Sequence, residues 1–123
     1  MIIVDTNIIL RYLLNDNQEL SSKAIEIIDN NDIFIPTEVI VEVSYVLNKV
    51  YNVERKVISK IINQLIIMEN INFENVETIK IAFELYSNRT LDIVDCLLYA
   101  YNKNEKYDVK SFDEKLNKLL VKI

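Results

Sequence analysis

The sequence predicts an α/β sandwich with a mostly parallel central sheet of four or five short strands. Short β-branched runs alternate along the chain with longer amphipathic segments, and parallel strands need crossover helices of that kind. The chain has 123 residues, enough for one hydrophobic core, so we expect a single domain over residues 1–123. Because glycine is absent, we expect asparagine at the turns, since it tolerates the left-handed backbone conformation.

The predicted elements follow one another in a regular order of strand, then helix. The strand patterns cover residues 2–4, 33–35, 71–73, 107–112 and 120–123. The first of these strands should be buried, and the last should lie at an edge of the sheet. The helical patterns cover residues 7–14, 20–29, 37–50, 53–68, 76–86, 92–102 and 113–119. Pro36 suits the entry of the third helix, and the fourth helix is expected beside the third. In such sheets ligands bind beyond the carboxyl ends of the strands, so polar residues that end a strand are candidate functional residues.

The amino-acid composition excludes several classes of site. The chain has no histidine and one cysteine, Cys96, which excludes an internal disulfide, the usual zinc sites and every catalytic triad that needs an imidazole. The absence of glycine excludes the loops that hold nucleotide phosphates in Walker and dinucleotide-binding folds. Carboxylates remain abundant, with 19 Asp and Glu against 14 Lys and Arg, so any bound metal should be a hard, oxygen-seeking cation.

The net charge of −5 argues against a nucleic-acid ligand, because phosphate contacts call for lysine and arginine. The objection weakens if the negative charge is concentrated at a metal site, where bound cations would present positive charge to a phosphate. No apolar run approaches the roughly 20 residues of a membrane span, and no basic leader precedes the first strand. The sequence therefore predicts a soluble protein of the cytoplasm.

Two acids stand where a predicted strand ends and a helix begins. Asp5 follows the first strand and Asp113 follows the fourth, which would bring both to the same edge of the sheet. Both positions also have a purely structural interpretation. Asp5 or Thr6 would cap the first helix, and Ser111 or Asp113 would cap the last.

Three further acids lie on predicted helices. Glu42 lies beside the apolar stripe of its helix, where Glu38, one turn earlier, is an equally placed alternative, and both fit an ordinary solvated face. Asp92 and Asp95 begin another helix, where carboxylates satisfy unpaired backbone donors. Carboxylates that converge repel one another unless a cation neutralises them, so convergence with Asp5 would itself indicate a metal site.

Four short motifs occur in a fixed order along the chain. They are Ile3-Val-Asp-Thr-Asn-Ile-Ile-Leu10, Val41-Glu-Val-Ser-Tyr-Val-Leu47, Asp92-Ile-Val-Asp-Cys-Leu-Leu98 and Ser111-Phe-Asp-Glu-Lys-Leu116. Their order, and the separation of Asp95 from Asp113, resembles that of the PIN-domain nucleases, most closely the VapC-like ribonuclease toxins of toxin-antitoxin pairs. The sequence departs from the family in lacking glycines near the later motifs and in having Ser111 where threonine is frequent.

The resemblance implies a three-layer PIN-like sandwich and an endoribonuclease with one or two Mg²⁺ or Mn²⁺ ions. The implied metal-binding and catalytic residues are Asp5, Glu42, Asp95 and Asp113, which selects Glu42 over Glu38. The implied supporting residues are Thr6, Asn7, Asp92 and Ser111, with a supporting or capping role for Asp92. Candidate phosphate contacts, which the resemblance does not rank, are Arg11, Lys49, Arg55 and Arg89.

The resemblance also implies partners. VapC-like toxins pair with a second copy and with a small antitoxin protein, and the apolar helices between Thr37 and Met68 would offer the surface for this. The implied substrate is single-stranded RNA, cut by metal-activated water to leave a 5′-phosphate and a 3′-hydroxyl. The RNA sequence that is cut does not follow from the motifs.

Two other functions are compatible with the motifs. A phosphatase or phosphoaspartate receiver would use Asp5 as a nucleophile or acceptor, but the usual Asp-x-Asp and the late strand-end lysine are not evident. A catalytically silent PIN-fold module that binds RNA or protein would have no need of four repelling carboxylates. The endoribonuclease is therefore the leading hypothesis.

Overall fold

The structure is a computed structural model of residues 1–123, and it is built on a three-stranded parallel sheet. The strands are β1 (Ile2–Ile3), β2 (Ile33–Ile35) and β3 (Ile71–Phe73), in the order β1-β2-β3. Ile33 is the register partner of Ile2 on one side and of Ile71 on the other. Helical segments connect the strands, as parallel pairing requires, and the predicted α/β class is confirmed.

Seven helices surround the sheet, and each lies where the sequence pattern predicts one. They are α1 (Thr6–Leu14), α2 (Gln18–Asp29), α3 (Thr37–Lys49), α4 (Arg55–Ile67), α5 (Val76–Asn88), α6 (Ile93–Glu105) and α7 (Glu114–Asn117). Asparagine replaces glycine at the turns as expected, since Asn15 and Asn52 occupy two of the three left-handed positions, with Lys106 at the third. None of the helices has the length and apolar content needed to cross a bilayer.

One cluster of 21 buried side chains forms the core. The helix α4 packs mainly against α5, and not chiefly against α3 as its sequence position suggested. Ser59 on α4 links the two helices, because its Oγ donates a hydrogen bond to the Phe83 carbonyl on α5 at 2.7 Å. Cys96 is fully buried in the same core, and its burial raises the pKa of the thiol to about 12. The one cysteine is therefore a packing residue.

The predicted fourth strand at residues 107–112 is wrong. The segment pairs with no strand, and its phenylalanine, Phe112, is fully exposed. The Tyr107 ring packs edge-on against Tyr101 with centroids 6.3 Å apart, so this contact is with α6. Without a neighbour, β1 remains an edge strand, and Ile2 and Ile3 are exposed where a buried strand was expected.

The predicted edge strand at residues 120–123 is also wrong, because a side chain satisfies its backbone. Asn102 on α6 is buried, and its amide forms both hydrogen bonds that a strand partner would form with Val121. The Val121 N–H donates to Asn102 Oδ1 at 2.8 Å, and Asn102 Nδ2 donates to the Val121 carbonyl at 2.7 Å. The C-terminus is therefore fixed to α6 and does not extend the sheet.

Candidate active site

Asp5 and Asp113 both cap a helix, and each carboxylate keeps one oxygen free. Asp5 Oδ1 accepts a hydrogen bond from the Ile8 N–H at 3.0 Å, at the start of α1. Asp113 Oδ1 accepts one from the Leu116 N–H at 2.8 Å, at the start of α7. The structural interpretation of these acids is thus correct, but it uses only Oδ1 of each carboxylate. The second oxygen of each carboxylate remains available to a ligand.

A cavity of about 640 Å³ lies between α3 and the start of α6. Four carboxylates line it, from Glu38 and Glu42 on α3 and from Asp92 and Asp95 at the start of α6. The i, i+4 spacing of the two glutamates on one helix directs both side chains to the same side. The cavity therefore brings together two of the four predicted metal-binding residues, Glu42 and Asp95.

A second groove, of about 450 Å³, lies at the start of α1. Asp5 and Glu42 are its two acids, and the predicted supporting residues Thr6 and Asn7 lie beside them. Glu42 thus lines both this groove and the larger cavity, whereas Glu38 lines only the larger cavity. Glu42 therefore lies between Asp5 and the acids of α6.

Asp95 has the most perturbed electrostatics of the four acids. It lies in the first turn of α6 and is partly buried. Burial raises the pKa of its carboxyl, and the negative charges of Asp113 and Asp92 raise it further. Asp113 is therefore close enough to repel Asp95, although it does not line the cavity itself. The negative charges of Asp92 and Asp113 thus act on Asp95, while Lys49 and Arg55 are the cations that line the same cavity.

The donor chemistry of these acids fits Mg²⁺ or Mn²⁺, since every available ligand atom is a carboxylate oxygen. No group of three or more acidic side chains is close enough in the structure to hold one ion. Glu42 is exposed and forms no hydrogen bond or ion pair, so its side chain is free to change rotamer, whereas capping hydrogen bonds hold Asp5 and Asp113. The four acids surround a common region without forming a closed ligand shell.

Comparison with known proteins identifies the family. Residues 2–120 match the model of the PIN domain. The chain belongs to the PIN domain family. It is also similar to a VapC ribonuclease of Aquifex aeolicus (strain VF5), with 30% identity over 132 residues that cover 97% of this chain and 92% of that protein. No solved structure gives a significant match.

Ser111 and Asp92, both predicted to support the site in this PIN domain, lie at the starts of helices. Ser111 Oγ accepts a hydrogen bond from the Asp113 N–H at 2.9 Å, and the Ser111 carbonyl accepts one from Asn117 at 2.7 Å. These bonds fix the turn that presents Asp113. Asp92 occupies the N-cap position of α6, but its side chain forms no capping hydrogen bond and faces the cavity instead.

Arg55 of this PIN domain has a role that the sequence did not indicate. Its Nε donates a hydrogen bond to the Tyr86 carbonyl at 2.8 Å, and its Nη2 donates to the Leu91 carbonyl. The guanidinium also stacks on the Tyr86 ring, 3.7 Å from the centroid. Since Leu91 immediately precedes Asp92, Arg55 holds the turn from which the acids of α6 begin. The partners are 31 and 36 residues away, so no local pattern reveals this contact.

The other three candidate phosphate contacts have different surroundings. Arg11 forms an ion pair with Asp16 at 2.8 Å. Lys49 lines the large cavity and forms no ion pair. Arg89 lines a separate groove together with Lys115 and Lys118, which the sequence analysis did not single out.

Proposed function

We propose that this PIN domain is a Mg²⁺- or Mn²⁺-dependent endoribonuclease and that it acts as the toxin of a toxin-antitoxin pair. The observation that carries the proposal is the position of Glu42, which lines both the groove of Asp5 and the cavity of Asp95. The charge of Asp113 also acts on Asp95. The similarity to a protein named VapC ribonuclease supports RNA as the substrate.

In this proposal Asp5, Glu42, Asp95 and Asp113 hold the metal. A bound divalent ion lowers the pKa of a water molecule to near neutrality and stabilises negative charge on the leaving oxygen. Asp5 and Asp113 bind through their free oxygens, because the capping hydrogen bonds hold the other oxygen of each. The cap bonds also limit rotation of these carboxylates, which reduces the entropy lost on binding.

The reaction needs no imidazole, in keeping with a chain without histidine. The attacking water loses a proton as its oxygen bonds to phosphorus. The bond from phosphorus to the 3′ oxygen breaks, and that oxygen takes up a proton from solvent. The products are a 5′-phosphate and a 3′-hydroxyl. Burial and the charges of Asp113 and Asp92 raise the pKa of Asp95, and a neighbouring cation would offset this repulsion.

Cleavage of a mixed RNA pool tests the proposal. The purified protein is expected to cut RNA with Mg²⁺ or Mn²⁺ and to lose that activity in EDTA. Asp5→Asn should lower the cleavage rate at least about 100-fold. The variant should fold normally, because asparagine caps a helix as well as aspartate does, and circular dichroism checks this.

The alternative is a catalytically silent PIN-fold module that binds RNA or protein. The observation that favours this alternative is that no three acidic side chains lie close enough together to hold one ion. Folded protein, free of any antitoxin, that cleaves no RNA with either metal would establish this alternative in place of the nuclease.

We also propose that the protein forms a homodimer and binds a small antitoxin. Large apolar side chains are exposed on and beside α3 and α4. They are Tyr45, Val50, Tyr51, Val57 and Ile67. Light scattering should give the mass of a dimer across micromolar concentrations. A monomer throughout that range would remove the dimer from the proposal.

We propose, finally, that residues 1–123 act as a single nuclease domain in the cytoplasm. The core cluster contains side chains from the sheet and from helices α1 to α6, which supports one cooperative unit. An RNA substrate and an antitoxin partner would both be met in the cytoplasm. A single unfolding transition in urea, seen alike by circular dichroism and tyrosine fluorescence, is the corresponding measurement.

A further inference from the structure

A surface groove of about 310 Å³ is lined by cations and by no acid. We call it the cationic groove, and its lining residues are Arg89, Thr90, Leu91, Lys115, Lys118 and Leu119. Half of these residues are basic, in a chain whose net charge is −5. The negative charge of the whole chain therefore hides a local surface of the opposite sign.

The charges of this groove are not used within the protein. Arg89, Lys115 and Lys118 are exposed, and none of them forms an ion pair or a side-chain hydrogen bond. Lys110, a few residues away, is by contrast paired with Asp108 at 3.1 Å. Three free cations around one depression are available to an anionic ligand.

The groove adjoins the acids of the candidate active site along two separate chain segments. Leu91 immediately precedes Asp92, and Lys115 follows Asp113 by two residues. Because consecutive Cα atoms are about 3.8 Å apart, both walls begin within about 8 Å of the backbone of an acid. A ligand in the groove would therefore lie near the two chain segments that carry Asp92 and Asp113.

We infer that the cationic groove binds the phosphate backbone of single-stranded RNA next to the bond that is cut. The inference rests on the proposed nuclease function and adds a binding site to it. Phosphate contacts supply most of the sequence-independent affinity for nucleic acid, and they require unpaired lysine and arginine such as these. An acidic peptide would match the same charges. RNA is favoured because the ligand must also reach the acids of the active site, where the proposed metal ions would bind its phosphate. The groove also answers the objection that the protein is too acidic to bind nucleic acid.

The test measures RNA binding by fluorescence anisotropy over a series of salt concentrations, with Mg²⁺ present. The reference protein carries Asp5→Asn alone, so that the labelled single-stranded RNA remains intact, and the test variant is made in the same background. Adding Lys115→Ala and Lys118→Ala should weaken binding roughly 10- to 30-fold near 0.1 M salt. The slope of log K against log salt should become shallower by about 1.4, about 0.7 for each lost phosphate contact.

The matched control is Lys56→Ala with Lys60→Ala in the same background. These two lysines are exposed on α4, form no ion pair and lie outside the cationic groove, and their loss changes the net charge equally. The control should leave the slope unchanged. An equal loss of RNA affinity in the two double variants would mean that net charge alone governs binding. This result would overturn the assignment of the groove.

Cleavage assays separate the two proposals. In protein that retains Asp5, the Lys115 and Lys118 substitutions should raise KM more than they lower kcat. If the wild type cuts RNA and these substitutions change neither the salt slope nor KM, the groove inference fails and the nuclease proposal stands. An acidic peptide that binds the groove in that case would replace RNA as its ligand. If the wild type cuts nothing but the slope still falls, the nuclease fails and the groove stands.

Discussion

Asp95→Asn is expected to slow RNA cleavage strongly and, at the same time, to stabilise the metal-free protein. The carboxylate is partly buried, and the charges of Asp113 and Asp92 repel it, which together raise its pKa. Removing the charge should lower the cleavage rate by about 100- to 1000-fold and raise the free energy of unfolding by about 0.5–2 kcal/mol. Cleavage in Mg²⁺ and urea unfolding in EDTA are the two measurements.

The pH dependence of this stability difference has a definite sign. The pKa of Asp95 is higher in the folded protein than its ordinary value of 3.8. The ionised carboxylate therefore lowers the free energy of unfolding at neutral pH, and this cost is absent at low pH, where the carboxyl is protonated in both the folded and the unfolded state. The advantage of Asp95→Asn should be full at neutral pH and should vanish as the pH falls below about 4. Added Mg²⁺ or Mn²⁺ should stabilise the wild type and not the variant.

Glu38→Gln is the matched control, since Glu38 lines the same cavity but lies outside the proposed ligand set. It should retain cleavage, whereas Glu42→Gln should not. A normal rate in Asp95→Asn, or lower stability of that variant at neutral pH, would contradict the role assigned to Asp95.

Among the substitutions proposed for this protein, Arg55→Ala is expected to lower the free energy of unfolding the most. The variant would leave the carbonyls of Tyr86 and Leu91 without a charged donor and would remove the stacking on the Tyr86 ring. Hydrogen bonds to charged groups and a cation–π contact of this kind together suggest a loss of about 2–4 kcal/mol, a large fraction of the stability of an ordinary domain. Thermal and urea unfolding measure it.

The cleavage rate should fall in Arg55→Ala as well, because the turn before Asp92 loses its support. Arg55→Lys should recover only part of the stability, since an ammonium cannot reproduce the planar fork. Lys49→Ala is the control from the same cavity and should change stability by less than about 0.5 kcal/mol. If Arg55 were instead a phosphate contact, its loss would lower the salt dependence of RNA binding and leave stability unchanged.

The sequence by itself determined most of the helices and strands. Strands β2 and β3 have the predicted bounds, and all seven helices occur, with ends displaced by one to three residues. These patterns are local, because the period of the apolar residues and the capping residues lie within the segment they describe. The order of the acidic motifs likewise indicated the PIN family, which the comparison confirms.

Contacts between distant parts of the chain decided the rest. The strand pattern at residues 107–112 does not pair with the free edge of β1 or of β3, and Asn102 instead forms hydrogen bonds with the backbone of Tyr107 and Val121. The role of Arg55 and the cationic groove of Arg89 and Lys118 also join residues about 30 positions apart. Composition reports only the total charge, whereas burial and proximity in the folded chain set where each charge acts, so only the tertiary structure could place a cationic surface beside the segments of Asp92 and Asp113.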